Sequence, residues 1–225
     1  MADSQALTDL HAVESPLRHH FADMEQQKES SELGMWLFLI TEILFFGGLF
    51  TAYLVFRLAY PHAWETGSEH MNFWLGTTNT VVLLCSSLTM AIAVRCAQTG
   101  NRKLIVLFLL LTILMGIGFL GIKAVEYHEH YADGAVPGSL FHLAVADAEH
   151  VQMFFFLYFT MTGLHALHML IGVCLVGTIA YFAWRGKYGP HYYNPVEISG
   201  LYWHFVDIVW IFLYPLLYLI AHKHA

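Results

Sequence analysis

One carboxylate and a small set of imidazoles carry whatever chemistry this sequence could do. Glu42 stands alone in GMWLFLITEILFFGGLF. Its neighbours at helical spacing, Phe38, Leu39, Phe45, Phe46 and Leu49, are all apolar. Leu would be cheaper there, because a carboxylate in hydrocarbon costs a few kcal/mol or more unless it is protonated, paired or turned toward other helices. Glu42 is therefore either a protonated group hydrogen-bonded to a neighbouring helix, or a site for a proton, a lipid headgroup or a partner subunit. Further along, TGLHALHMLIG places His165 and His168 three apart, and GLYWHFVDIVW places His204 and Asp207 three apart. Three roles suit such groups: axial ligands of a haem or metal held between two helices, a proton relay, or hydrogen bonds that fix helix packing. Asp207 is a good acceptor for a His or Trp N–H and a poor neighbour for a dry haem. Lys123 and Glu126, also three apart, can pair along one helix.

These groups lie in apolar segments. The chain has 225 residues, 57% hydrophobic and 12% charged, about half the charge of an ordinary soluble domain. Its mean hydropathy is +0.54. Together these indicate an all-α polytopic membrane protein, a bundle of five transmembrane helices. Residues 33–56 contain one formal charge in 24 positions. That is about 36 Å of helix, enough to cross a hydrocarbon core of roughly 30 Å. Further spans are expected over 73–94, 104–127, within 151–184, and over 198–221, where Pro215 should introduce a kink. The fourth stretch is 34 residues long without Lys, Arg, Asp or Glu. At about 51 Å one end must project or break. The chain divides into a polar segment, 1–32, and a membrane domain, 33–225. Residues 22–33 suit a short amphipathic helix lying at the surface, residues 59–72 a linker and 128–150 a loop. No cleavable signal peptide is evident, because residues 1–32 contain no apolar core.

Lys and Arg set the orientation. Arg18, Lys28, Arg95, Arg102, Lys103, Arg185 and Lys187 fall on one side, and Arg57, Lys123 and Lys223 on the other. The N-terminus is therefore expected in the cytoplasm and the C-terminus outside. Lys187 and His191, beside Trp184, Tyr188, Tyr192 and Tyr193, suit contact with lipid phosphate, though both also fit as ordinary cytoplasmic-side residues. The 128–150 loop carries Glu129, Asp133, Asp147 and Glu149 without Lys or Arg. Asn79, Ser86, Ser87 and Thr89 can bond across helices. Cys85, Cys96 and Cys174 show no metal-type spacing. There is no basic patch for nucleic acid, and GxGxxG, P-loop, HExxH and GxSxG are all missing. His19, His20, Asp23, Glu25, Glu29 and Glu32 could form a proton-collecting surface.

Five stretches, in order, resemble subunit III of the haem-copper oxidases, the cytochrome c oxidase subunit III family: 34–50, NTVVLLCSSLTMA at 79–91, KAVEY at 123–127, TGLHALHMLIG at 162–172 and YWHFVDIVWIFLY at 202–214. The resemblance covers about residues 33–221. It looks like the five-span bacterial form, most similar to caa3-type oxidases, without the two N-terminal helices of seven-span members. It implies a non-catalytic accessory subunit of a proton-pumping terminal oxidase in a bacterial inner (plasma) membrane. Haems and copper would lie in partner subunits, with no metal or cofactor in this chain apart from bound phospholipid. The implied partners are catalytic subunit I with subunits II and IV, and a cytochrome c or a respiratory supercomplex partner. It carries the family's intramembrane Glu, near bound lipid, onto Glu42, and its last-helix His and Asp onto His204 and Asp207 in a packing role. It also puts a closed lipid cleft in doubt, because that cleft is formed with the two helices missing here. The equivalent subunit of a quinol oxidase or nitric-oxide reductase, or a b-type cytochrome using His165 or His168 with His204, are the rival readings.

Overall fold

The computed structural model describes residues 21–190 and 192–220. Six helices follow in order: α1 (Met24–Ala59), α2 (Pro61–Glu69), α3 (Phe73–Thr99), α4 (Arg102–Ala132), α5 (Ala148–Trp184) and α6 (Asn194–Tyr218). All but α2 are long and apolar enough to cross a membrane, giving a multi-pass bundle of five spans.

Local chemistry explains most of the boundaries. Asp23 caps α1, its side chain accepting from the Gln26 backbone N–H at 2.8 Å. With that cap, and with Lys28 and Glu32 paired at 3.5 Å, the polar stretch joins the first span in one helix of 36 residues, about 54 Å long. No separate surface helix forms over 22–33. The expected linker is also helical: Pro61, with its φ pre-set, starts α2. Trp64 is buried against Tyr53 and Phe154, and the Ser68 hydroxyl donates to the Leu217 carbonyl at 3.0 Å. The third span continues to Ala132, so the loop begins later than residue 128. α5 runs unbroken over 37 residues, so its excess length projects rather than breaks. α6 continues past Pro215 to Tyr218. The short connection between α3 and α4 uses Gly100 at φ 78 as C-cap, followed by Asn101 as the N-cap of α4.

α3, α4, α5 and α6 close a ring in which α3 packs on α4 and α6, and α5 packs on the same two. α2 lies across the end of α5. α1 stands outside the ring against α6 and α5, with only Gln27, Leu39, Phe46 and Tyr53 buried. Close approach is built on small residues. A Cβ on Gly67 would sit 2.4 Å from the Phe154 ring, and one on Gly116 2.7 Å from the Trp203 ring. Phe154 is fully buried and wedged against Trp64. Gly67→Ala should therefore cost about 1–3 kcal/mol of overpacking. It should lower the thermal midpoint of the purified protein in detergent. An unchanged midpoint would mean that the ring gives way freely.

Candidate functional site

Glu42 lies near the middle of α1 and half-way into the α1–α5 contact. Its Oε2 is 3.1 Å from His168 Nε2, and the two side chains are 19% and 13% exposed. The other imidazole nitrogen, Nδ1, is 2.8 Å from the Leu164 carbonyl oxygen. A carbonyl oxygen can only accept, so Nδ1 carries its hydrogen and donates. The contact to Glu42 then needs one further proton. That proton lies either on the carboxyl, which donates to a neutral imidazole, or on the imidazole, which donates to the carboxylate. Both arrangements are neutral in sum, which is how two ionisable groups are tolerated at this depth. Phe46 of α1 packs edge-on to the His168 ring at 5.4 Å, and the Tyr202 hydroxyl of α6 donates to the His168 backbone carbonyl at 3.0 Å.

Lys123 and Glu126 are the centre of a second cluster, fully inside the ring near the end where α6 finishes. Lys123 Nζ lies 3.0 Å from Glu126 Oε2, 3.1 Å from the Tyr158 hydroxyl and 2.8 Å from the Tyr218 hydroxyl. Both hydroxyls donate to Glu126 Oε1, at 2.9 Å and 2.5 Å. All three ammonium protons are thus used, and each phenol accepts one bond and donates one. The ammonium also lies 5.1 Å from the Trp210 ring centre. His130 Nε2 approaches the same carboxylate at 3.9 Å.

The remaining polar groups lie at several helix contacts. His165 is buried, with Nε2 3.1 Å from the Val206 carbonyl of α6, and it turns away from the α1 side that His168 faces. His204 Nδ1 meets the Ser87 hydroxyl of α3 at 2.7 Å. Asp207 is buried near the same Ser87 and does not bond His204. Trp203 and Trp210 donate to Ser86 and Thr80, each at 3.1 Å, riveting α6 to α3. Among the described residues no group of three or more His, Cys, Asp or Glu converges as a metal set would.

Lys187 follows the end of α5, its ammonium 4.8 Å from the Phe182 ring centre. Burial pushes the neighbouring Tyr188 phenol up to about 12, so it stays neutral at any working pH. His191 lies outside the described residues, as do His19 and His20 of the candidate proton-collecting surface; Glu25 and Glu29 of that set are exposed on α1. Tyr158 and Tyr218 are functional neighbours that the sequence reading did not single out, whereas Ser87 bonds across helices, to His204, as expected. The missing signal was arithmetic: a buried ammonium paired with one carboxylate still has N–H groups to place, so hydroxyls in the facing spans should be sought.

Comparison with known proteins matches this architecture to one family. A family model described as cytochrome c oxidase subunit III matches residues 11–222. The cytochrome c oxidase subunit 3 of Thermostichus vulcanus is 33% identical over 84% of this chain and 87% of its own length. That of Gallus gallus is 35% identical over 82% of this chain and 67% of its own length. The quinol oxidase subunit 3 of Bacillus subtilis is 32% identical over 89% of this chain and 93% of its own. With five spans and a match along nearly its whole length, the chain belongs to the cytochrome c oxidase subunit III family, a membrane component of haem-copper oxidase complexes.

Proposed function

We propose that this chain is a cofactor-free accessory subunit of a proton-pumping terminal oxidase. It binds phospholipid and keeps catalytic subunit I, with its proton uptake, active through repeated turnover. The observation that carries this reading is the Glu42–His168 contact at 3.1 Å. α1 buries few residues; the Tyr53 hydroxyl donates to the Leu216 carbonyl of α6, and this neutral pair fastens α1 to α5 at mid-membrane depth. Grooves flank the α1 contact. One, of about 550 Å³, is lined by Phe50, Leu54, Phe212, Pro215 and Leu216 with Arg57 at its edge, a composition that suits an acyl chain and its headgroup. Lys187 and His191 would meet lipid phosphate at the opposite end.

On this reading the complex sits in a bacterial inner membrane, and the Lys/Arg count favours the N-terminus of this chain in the cytoplasm. Haems and copper belong to partner subunits. The electron donor, cytochrome c or quinol, is selected by those partners, since relatives of this chain carry both names. Asp23, Glu25, Glu29 and Glu32 collect protons at the cytoplasmic end of α1, a role the sequence extends to His19 and His20, which lie outside the described residues.

The test is removal of this chain from the purified complex. The haem spectrum and initial turnover should persist, while activity decays faster over successive turnovers and proton uptake at high pH slows. Unchanged decay and uptake would refute the supporting role. A Soret band carried by the isolated chain and lost in His204→Ala would refute the cofactor-free reading.

A further inference from the structure

On the outer side of the ring, α3 and α6 share one polar contact, His204 Nδ1 to the Ser87 hydroxyl at 2.7 Å. Both residues stand near the middle of their helices. A neutral imidazole has two nitrogens and one hydrogen. If Nδ1 donates to Ser87, Nε2 is left as an acceptor; if Ser87 donates to Nδ1, Nε2 carries the hydrogen. In either tautomer Nε2 has one bond to make, and it makes none among the described residues. Nor is it enclosed, because His204 is only half-buried and its ring edge reaches the bundle surface.

The surroundings are apolar. Val81, Leu84 and Leu88 run along α3 at i, i+3 and i+7, and His204, Ile208 and Ile211 along α6 at i, i+4 and i+7, giving two ridges side by side at the Ser87–His204 contact. The five aliphatic side chains are each at least 44% exposed. Aliphatic ridges alone would be covered equally well by lipid. The imidazole decides between lipid and protein. At mid-span the nearest headgroup is about 15 Å away, half the hydrocarbon thickness. An acyl chain at that depth offers neither donor nor acceptor, so only another protein segment can satisfy Nε2. Ser, Thr, Asn and Gln side chains both donate and accept, so each of them serves either tautomer.

We propose that the α3–α6 face seats a membrane-spanning helix of a partner subunit, which presents a Ser, Thr, Asn or Gln side chain to His204 Nε2 at mid-span. The aliphatic ridges supply the packing and the imidazole sets the register. This rests on the family's place in a haem-copper oxidase complex and not on the supporting role in turnover; how fast activity decays without the chain bears on that role alone.

The test places the photo-reactive residue p-benzoylphenylalanine at Ile208 in the intact complex within its native membrane, and identifies the adduct by mass after purification. Attachment to a spanning segment of another subunit of the complex supports the proposal. Adducts with lipid alone, or with a second copy of this chain alone, overturn it. The polar bond is read separately, by detergent titration of the complex followed by native mass spectrometry. His204→Leu should release this chain about three- to tenfold more readily, the worth of one interhelical hydrogen bond in a membrane. His204→Gln, whose amide still donates and accepts, should restore most of the retention. Release unchanged by His204→Leu, or equal in the Leu and Gln variants, overturns the proposal. Should His204→Leu fail to fold, the Ile208 cross-link, made with His204 in place, decides alone.

Discussion

Lys123→Met is expected to cost the bundle about 3–5 kcal/mol, because it leaves a buried carboxylate without its counter-charge. Glu126 is 0% exposed and Lys123 3%. With the ammonium gone, the Tyr158 and Tyr218 hydroxyls still donate to Glu126 Oε1, but Oε2 loses its only donor among the described residues. The pair is costly to break and cheap to delete: Lys123→Met/Glu126→Gln should recover most of the loss, since neither charge then remains to be solvated. Tyr158→Phe removes one acceptor from the ammonium and one donor from the carboxylate, and should cost about 1–3 kcal/mol. Denaturant titration of the purified complex in detergent reads all three. If the double variant proves as unstable as Lys123→Met, the loss comes from packing rather than charge, and this account is wrong.

Glu42→Leu is expected to loosen α1 by about 1.5–3 kcal/mol, the worth of a hydrogen bond to a charged group. That is roughly a tenfold to hundredfold rise in the detached population. The effect is large because α1 buries few residues against its neighbours, so losing one of two polar fastenings, the other being the Tyr53 hydroxyl on the Leu216 carbonyl, removes a sizeable share of its attachment. Glu42→Gln should do less, since the amide N–H can still donate to His168 Nε2. His168→Leu should match Glu42→Leu, and the double Glu42→Leu/His168→Leu should be no worse than either alone. The readouts are the number of turnovers before inactivation and the phospholipid retained per complex. Silence of Glu42→Leu in both would reduce the pair to ordinary packing.

Much of this protein is readable before folding. Five apolar runs of membrane length, each bounded by Gly, Pro or charge, give the spans, because hydrocarbon tolerates only helices whose backbone groups are satisfied within the segment. The errors lie where polarity misleads. Residues 22–33 look like a separate surface helix, yet the Asp23 cap and i,i+4 pairing carry the stretch from Met24 on into α1 without a break. Residues 61–69 look like linker, yet Trp64 and Ser68 find buried partners in α1, α5 and α6, and the segment folds onto them.

By itself the sequence determined that these polar groups sit inside a membrane and must be neutralised. It also determined that Lys123 and Glu126 lie one turn apart. Only the tertiary structure decided the partners. His165 and His168 are three apart on one helix, yet one bonds α6 and the other α1. His204 meets Ser87, 117 positions away, rather than Asp207 one turn along its own helix. The physical reason is that helical spacing specifies a direction from an axis, whereas a hydrogen bond needs atoms within about 3 Å. Which helix stands at that distance follows from how the spans pack around small residues such as Gly67 and Gly116, and no single segment contains that information.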